Sequence, residues 1–172
     1  MHLLPNLKGV FVFGTAPVGA DPNLPPAFLS PAQSYAGQAV TYGAVPNLTV
    51  QQVTDYVTAF FRPNYPVPSF AVPEGVRTDP NTRQAIANVI NGTDATFQDE
   101  VAIVRNTTIP LAILYPSKDA FLNPQFLFDL APSLPTLWQD KIIVVKNSGH
   151  ATQWELPNKF ISLLKKFVKD VE

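Results

Sequence analysis

The stretch KIIVVKNSGHATQWELP, residues 141–157, decides how this chain is interpreted. The β-branched run 142–145 predicts a short buried strand. The run breaks at Ser148-Gly149, His150 follows directly, and Pro157 suits the first turn of a helix, where its missing N–H costs nothing. Ligands of parallel α/β sheets bind in the crevice at the carboxyl ends of the strands. His150 is therefore a candidate general base, with a solvated loop histidine as the alternative.

A second apolar run places a carboxylate at the same end of the predicted sheet. Residues 109–116, IPLAILYP, predict another buried strand, and the tripeptide Ser117-Lys118-Asp119 follows it. An acid oriented towards a histidine holds the imidazole tautomer and stabilises the imidazolium formed during proton transfer. Asp129 and Asp140 are the alternative acids. The pattern places them within a helix and before a strand, so Asp119 is preferred.

The order of these motifs resembles the C-terminal half of an α/β-hydrolase, in which the acid precedes the histidine. The resemblance rests on the YPSKD turn at 115–119, the SGH loop at 148–150, Trp154, and the run GVFVFGTAPVG at 9–19. That run resembles the strand leading into the cap of this family. The resemblance covers nearly the whole chain. It implies that Asp119 is the triad acid and His150 the base.

The nucleophile of that family is missing from these residues. It normally occupies a G-x-S-x-G elbow on the strand before the one at 9–14, and the sequence contains neither that pentapeptide nor a cysteine. Ser148 shares a loop with His150, and Ser117 lies in the turn of the acid, so neither is a candidate nucleophile. The resemblance therefore implies a truncated hydrolase with an incomplete triad. The complete enzyme would hydrolyse an ester, epoxide or similar bond of a small apolar substrate.

Two other functions stay open on the sequence alone. The chain could be a non-catalytic fragment or a binding and interaction module. It could also be a subunit completed by another chain that supplies the first strands.

Residues 20–78 have a different composition, in which proline and small residues disfavour long helices and central strands. The range 49–61 is an exception, because Thr49 and Gln52 form a capping box and apolar residues follow at helical spacing. We expect this helix to turn three apolar side chains towards the strand ends that carry the acid and the histidine: Val53, Val57 and Phe60. The resemblance implies a cap, and a loosely ordered loop is the alternative.

Three strands at about 9–14, 110–116 and 141–147, separated by helices, predict a parallel sheet in a partial α/β-hydrolase fold. Residues 1–172 are then the C-terminal part of one such domain, and residues 20–78 are its inserted cap. Further helices are predicted from Asp79-Pro80 to Asn91-Gly92 and over about 96–105, 124–130 and 156–171. Trp154 is expected to pack the histidine loop against the last helix, and lining of the substrate pocket is the alternative.

Composition excludes several classes of function. Of the 172 residues, 46% are hydrophobic and 15% charged, which is typical of a globular domain. The net charge of −1 provides no basic surface for nucleic acid or an anionic membrane. No apolar run approaches the roughly 18–20 residues that span a bilayer. With no cysteine and only His2 and His150, we expect no metal site.

The expected partner is a small apolar substrate, reached along a route rich in aromatic side chains: Phe60, Phe61, Tyr65 and Phe70. The resemblance implies no organic cofactor. Cytoplasm is the expected compartment. The apolar strand at 9–14 lacks charge and proline, so we also expect it to pair with another chain if its edge is exposed.

Overall fold

The computed structural model describes residues 6–90, 93 and 98–172 and contains a three-stranded parallel sheet in the order β1-β2-β3. The strands are β1 (Val10–Val12), β2 (Leu111–Pro116) and β3 (Ile143–Val145). Val10 lies opposite Leu111, and Leu114 lies opposite Ile143. All three strands fall within the predicted runs, so the predicted parallel sheet is confirmed.

Helices separate the strands along the chain. The described residues form α1 (Val50–Ala59), α2 (Ala71–Arg77), α3 (Pro80–Ile90), α4 (Glu100–Asn106), α5 (Pro124–Leu130), α6 (Thr152–Glu155) and α7 (Pro157–Val171). Shorter 3₁₀ segments occur at Gly37–Ala44, Ala131–Ser133 and Trp138–Asp140.

The start of α1 is set by the predicted capping box. The Thr49 hydroxyl accepts from the Gln52 backbone N–H at 3.2 Å, and Gln52 Oε1 accepts from the Thr49 N–H at 2.9 Å. Two backbone donors that the helix itself leaves unpaired are thereby satisfied. A side chain also caps the beginning of α3, where Asp79 Oδ1 accepts from the Asn81 N–H at 2.8 Å.

Two predicted boundaries fall partly outside the described residues. The predicted end of α3 at Asn91-Gly92 lies there, as do Thr96 and Phe97 of the next predicted helix. In the described part that helix is α4. Its N-cap is Asp99, whose Oδ1 accepts from the Ala102 N–H at 3.0 Å.

The proline-rich range 20–78 contains more helix than its composition predicted. Besides α1, it forms α2 and the 3₁₀ segment at 37–44. Pro73 is compatible with α2 because it lies in the first turn, where no N–H is needed for a helical hydrogen bond.

The central strand β2 is buried on both faces. Leu111 and Ile113 pack into the cluster that contains α4 and α5, while Ala112 and Leu114 pack on the other face beneath α7. A strand covered on both sides needs a continuous apolar sequence rather than an alternating one. This explains why the run at 109–116 is uniformly apolar, and it makes β2 the rigid element from which the acid turn projects.

Strand β1 forms one edge of the sheet in the described part of the chain. Val10, the first residue of the strand, is 37% exposed, and Phe13, which directly follows the strand, is 36% exposed. A strand edge offers unpaired N–H and C=O groups to another chain, and no charge or proline protects this one.

We therefore expect the 172-residue chain to self-associate with increasing concentration. Val10→Lys should weaken this association, because it places a charge on the edge strand. Val144→Lys is the matched control, since Val144 is 42% exposed on β3 at the opposite edge. Sedimentation velocity measures the effect. A wild-type chain that stays monomeric at all concentrations and melts cooperatively would contradict it.

Candidate active site

Asp119 and His150 meet at the carboxyl end of the sheet. Asp119 follows β2 and His150 follows β3, and parallel neighbours deliver their following loops to the same edge. His150 Nδ1 lies 2.9 Å from Asp119 Oδ2 and 3.1 Å from Oδ1. The two loops are also joined by backbone, since the Lys118 N–H donates to the Ser148 carbonyl at 2.8 Å. The structure thus brings the two predicted site residues together, and their catalytic role remains a prediction.

The Asp119 carboxylate is held from several sides. Its side chain is fully buried, and Oδ1 accepts from the backbone N–H groups of Phe121 at 2.7 Å and Leu122 at 3.1 Å. A buried acceptor with several donors has one stable orientation. Asp119 therefore presents a fixed oxygen to the imidazole.

This contact determines what His150 can do. With Nδ1–H donating to Asp119, Nε2 carries the lone pair that can accept a proton. Nε2 faces Gly14, where a Cβ would lie 3.4 Å away. Gly14 also has a φ of +64°, in the left-handed region that favours glycine. The rings of Phe60 and Phe121 flank the imidazole at centroid distances of 5.0 and 4.8 Å.

His150 lines a cavity of about 470 Å³ that is otherwise mostly apolar. Its walls come from the end of β1, the segment between β1 and β2, and the acid turn. They include Phe28, Leu29, Val40, Tyr56, Phe60 and Phe121. The cavity offers an apolar surface beside one proton acceptor, a composition typical of small-molecule sites.

The orientation predicted for α1 is only partly right. Phe60 does contact His150, but Val53 and Val57 pack on α2, where a Cβ at Gly75 would lie 2.8 and 2.9 Å from their methyl groups. Tyr56 faces the site instead, with its ring 5.7 Å from Phe121. Tyr56 lies one turn before Phe60, so helical spacing could have identified it.

The predicted aromatic route divides in two. Phe60 lines both the His150 cavity and a neighbouring cleft of about 370 Å³, whereas Phe61 and Phe70 line that cleft but not the cavity. Tyr65 stacks on Phe61 with centroids 5.4 Å apart and lines neither of these spaces.

The prediction that Trp154 packs the histidine loop against the last helix is wrong. It is 53% exposed, and its ring centroid lies 5.1 Å from that of Phe70. The reason is that α6 is a separate short helix before α7, and Trp154 extends from it towards the segment between β1 and β2.

The other polar residues considered from the sequence have different partners. Ser148 is buried and donates to the Gly149 carbonyl, and Ser117 Oγ accepts from the Asn147 N–H at 2.9 Å. Neither contacts the imidazole in the described structure. Asp129 is exposed and accepts from Gln125, and Asp140 is exposed in a 3₁₀ segment.

Glu155 is a site residue that the sequence did not reveal. Its side chain is fully buried, and it accepts from the Arg62 backbone N–H and Nη1, both at 2.6 Å, and from the Gly149 N–H at 3.1 Å. The Ala151 N–H also donates to the Phe60 carbonyl at 2.8 Å. Glu155 therefore joins the end of α1 to the loop that carries His150.

Tyr35 connects the end of α1 to the turn that carries Asp119. Its hydroxyl lies 3.0 Å from the Lys118 carbonyl and 3.1 Å from the Phe61 carbonyl. The pKa of Tyr35 is raised to about 12, mainly because its partial burial disfavours the phenolate and also because of the negative charges of Asp119 and Glu155. The hydroxyl therefore stays protonated, as a donor must.

This raised pKa predicts a loss of stability in alkali. Between the ordinary tyrosine pKa of 10.0 and the folded value of about 12, unfolded Tyr35 loses its proton while the folded residue keeps it. Its contribution is therefore complete below pH 10 and disappears as the pH rises to 12. We expect the free energy of unfolding of Tyr35→Phe to fall less steeply than wild type across this window, measured by urea denaturation. Parallel curves for the two proteins would contradict the assignment.

The described ranges 6–90, 93 and 98–172 contain no group of three or more histidine, cysteine or acidic residues that could hold a metal ion. None of their helices has the length and apolar character required to span a membrane.

Several solved structures superpose on this chain. The N-acyl homoserine lactonase AidH, complexed with N-butanoyl homoserine, superposes with a TM-score of 0.80 and 22% identity over 97% of this chain and 56% of the lactonase. An esterase from Exiguobacterium antarcticum gives 0.65 and 17% identity over 94% and 57%. An esterase from Rhodococcus gives 0.67 and 13% over 96% and 57%.

The chain therefore has part of the α/β-hydrolase fold. It spans little more than half the length of these structures. No protein-family model and no curated protein matches the sequence.

Proposed function

We propose that this chain provides the base and the orienting acid of a hydrolase. The observation that carries the proposal is the His150–Asp119 contact of 2.9 Å at the carboxyl end of the sheet, beside an apolar cavity. The buried carboxylate holds one side of the imidazole, and the other side of the imidazole faces the cavity. Acyl transfer requires this arrangement of a general base and the acid that orients it.

In the proposed reaction, His150 Nε2 takes the proton from an attacking hydroxyl and later delivers it to the leaving group. Asp119 keeps Nδ1 protonated throughout and stabilises the imidazolium between these two transfers. The hydroxyl and the oxyanion donors would come from residues outside the 172, because the sequence has no G-x-S-x-G.

The proposed substrate is a small apolar ester or lactone. The structural neighbours are a lactonase and esterases, and the cavity beside His150 offers mostly hydrocarbon walls. Residues 20–78 are proposed to act as the cap, because Phe28, Val40 and Tyr56 from this segment wall the cavity. A cap of this kind excludes water and strengthens the electrostatic contacts within.

The test compares the chain alone with the same chain joined to a nucleophile-bearing first half of an α/β-hydrolase. We expect no hydrolysis of p-nitrophenyl butyrate by the chain alone above a His150→Ala control, and activity after joining. The missing elbow favours one alternative, a non-catalytic binding module. A joined, folded protein that remains inactive would support that alternative.

A further inference from the structure

A cleft of about 500 Å³ borders β3, the strand at the other end of the sheet from β1. Residues 141–144 form one wall of this cleft. The other wall is a stripe of α7 that consists of Lys159, Ser162, Leu163 and Lys166. The spacing i, i+3, i+4, i+7 places these four residues on one face of the helix. The cleft shares no lining residue with the His150 cavity, so it is a separate surface of the molecule.

Val144 offers main-chain groups to this cleft. The Val145 carbonyl accepts from the Ser117 N–H at 3.0 Å, so the main chain of Val145 faces β2. N–H and C=O groups of successive residues point to opposite sides of a strand, so those of Val144 point to the open edge. Val144 is 42% exposed, and β2 is the only strand that pairs with β3 in the described part of the chain. An extended peptide can therefore hydrogen bond to Val144 as an added strand.

The same cleft carries a local excess of positive charge. Its exposed cationic residues are Lys141, Lys159 and Lys166. Among the described residues none of these lysines forms an ion pair, and no acidic side chain lines the cleft. Asp140 adjoins the first lysine without lining the cleft, and Asp170 accepts from Trp138 Nε1 at 2.9 Å. The lysines therefore attract a negatively charged partner.

The two faces of the sheet differ at this edge, and this difference sets the side-chain pattern of a partner strand. Lys141 has an extended backbone, with φ −159° and ψ 157°, and therefore shares with Ile143 the face beneath α7. The two lysines of α7 border that face. The opposite face is apolar, because Val144 lies beside Tyr115, whose ring centroid is 6.0 Å from that of Phe128. Alternate side chains of an added strand would thus meet lysines and hydrocarbon.

We propose that the edge of β3 binds an extended acidic peptide in which carboxylates alternate with β-branched apolar residues. The peptide main chain hydrogen bonds to the Val144 N–H and C=O, its carboxylates face the three lysines, and its apolar side chains lie beside Val144. A second copy of this chain is disfavoured at this edge, because lysines would face lysines. The inference goes beyond hydrolysis, since binding here needs neither His150 nor a nucleophile.

The test measures the fluorescence anisotropy of the labelled peptide GEVEVEG while the 172-residue chain is added at about 150 mM salt. The peptide GVEEEVG has the same composition and charge but lacks the alternation. We expect saturable binding of GEVEVEG and about fivefold weaker binding of GVEEEVG. Equal affinities would overturn the proposal and indicate a patch for any anion. No saturable binding of GEVEVEG up to millimolar concentration would overturn it as well.

Two pairs of substitutions on α7 test where the charge acts. Lys159→Glu combined with Lys166→Glu should weaken the binding of GEVEVEG by about tenfold or more, because like charges then face each other. Lys165→Glu combined with Lys169→Glu is the matched control, since these exposed lysines of the same helix do not line the cleft. This pair changes the net charge equally and should alter the affinity by less than about twofold. Equal losses with the two pairs would contradict a local site.

The main-chain contact is tested from both sides. Val144→Pro removes the edge N–H, which an edge strand tolerates, and should weaken binding by about fivefold without changing thermal unfolding. GEVEVEG that is N-methylated on its five central residues tests the same contact with the unchanged protein and should not bind saturably. Undiminished binding of this methylated peptide, or undiminished binding by folded Val144→Pro, would contradict strand addition. Because the cleft and the His150 cavity share no residue, failure here is distinguishable from failure of the proposed hydrolysis.

Discussion

Asp119→Asn is expected to reduce kcat by about 10⁴-fold in a protein that joins this chain to a nucleophile-bearing first half. The amide can place its NH₂ towards the imidazole, so Nδ1 becomes the acceptor and Nε2 carries the proton. His150 then cannot accept a proton on the side that faces Gly14 and the cavity. His150→Ala should have an effect of similar size, because it removes the base itself. Initial rates of p-nitrophenyl butyrate hydrolysis measure both.

The double variant tests whether Asp119 and His150 act as one catalytic unit. The losses of kcat from residues that act together do not add, so Asp119→Asn combined with His150→Ala should lower kcat no more than the larger of the two single changes. Asp129→Asn is the matched control, since Asp129 is exposed on α5 and should retain full activity. Turnover by the 172-residue chain alone that depends on His150 would contradict the proposed division of the triad.

Glu155→Ala is expected to lower the free energy of unfolding by about 3 kcal/mol. The change leaves the Arg62 and Gly149 N–H groups without their acceptor and removes the anion that faces the Arg62 guanidinium at 2.6 Å. Breaking a buried ion pair costs about 3–5 kcal/mol. The lower end applies because the Arg62 side chain is 26% exposed and can regain water. Urea denaturation of wild type and variant measures the difference.

Glu74→Ala is the matched control for this prediction. Glu74 pairs with Arg77 at 2.8 Å, but both side chains are more than half exposed. An exposed pair contributes about 0–1 kcal/mol, so this variant should unfold nearly as wild type. If Glu155→Ala costs no more than Glu74→Ala, the connection between α1 and the histidine loop does not hold the structure together.

Local sequence patterns predicted the framework and the two central residues of the site. The run at 110–116 was recognisable as a strand because burial on both faces requires uninterrupted apolar residues. The run at 141–147 was recognisable because β-branched residues favour strands, although Val144 in it is 42% exposed. Thr49 with Gln52 and Asp79 with Pro80 marked helix starts, since capping depends on residues only two or three positions apart. Asp119 and His150 could be paired from sequence because parallel strands end at one edge.

The surroundings of that pair were decided by tertiary contacts. Glu155, Tyr35 and Arg62 are ordinary polar residues in the sequence, and their importance arises from partners far away along the chain, such as Arg62 for Glu155. Trp154 was assigned to the wrong neighbour for the same reason.

The sequence by itself thus determined a parallel α/β sheet with an acid and a histidine at its carboxyl end, because these features depend on local periodicity and on strand direction. Only the tertiary structure decided that Tyr56 rather than Val53 lines the cavity beside His150. It also decided that the buried carboxylate of Glu155 joins the end of α1 to the loop that carries His150. The contacts between these side chains depend on how α1, α2 and α6 pack against each other. The sequence of one helix does not determine where its neighbours lie.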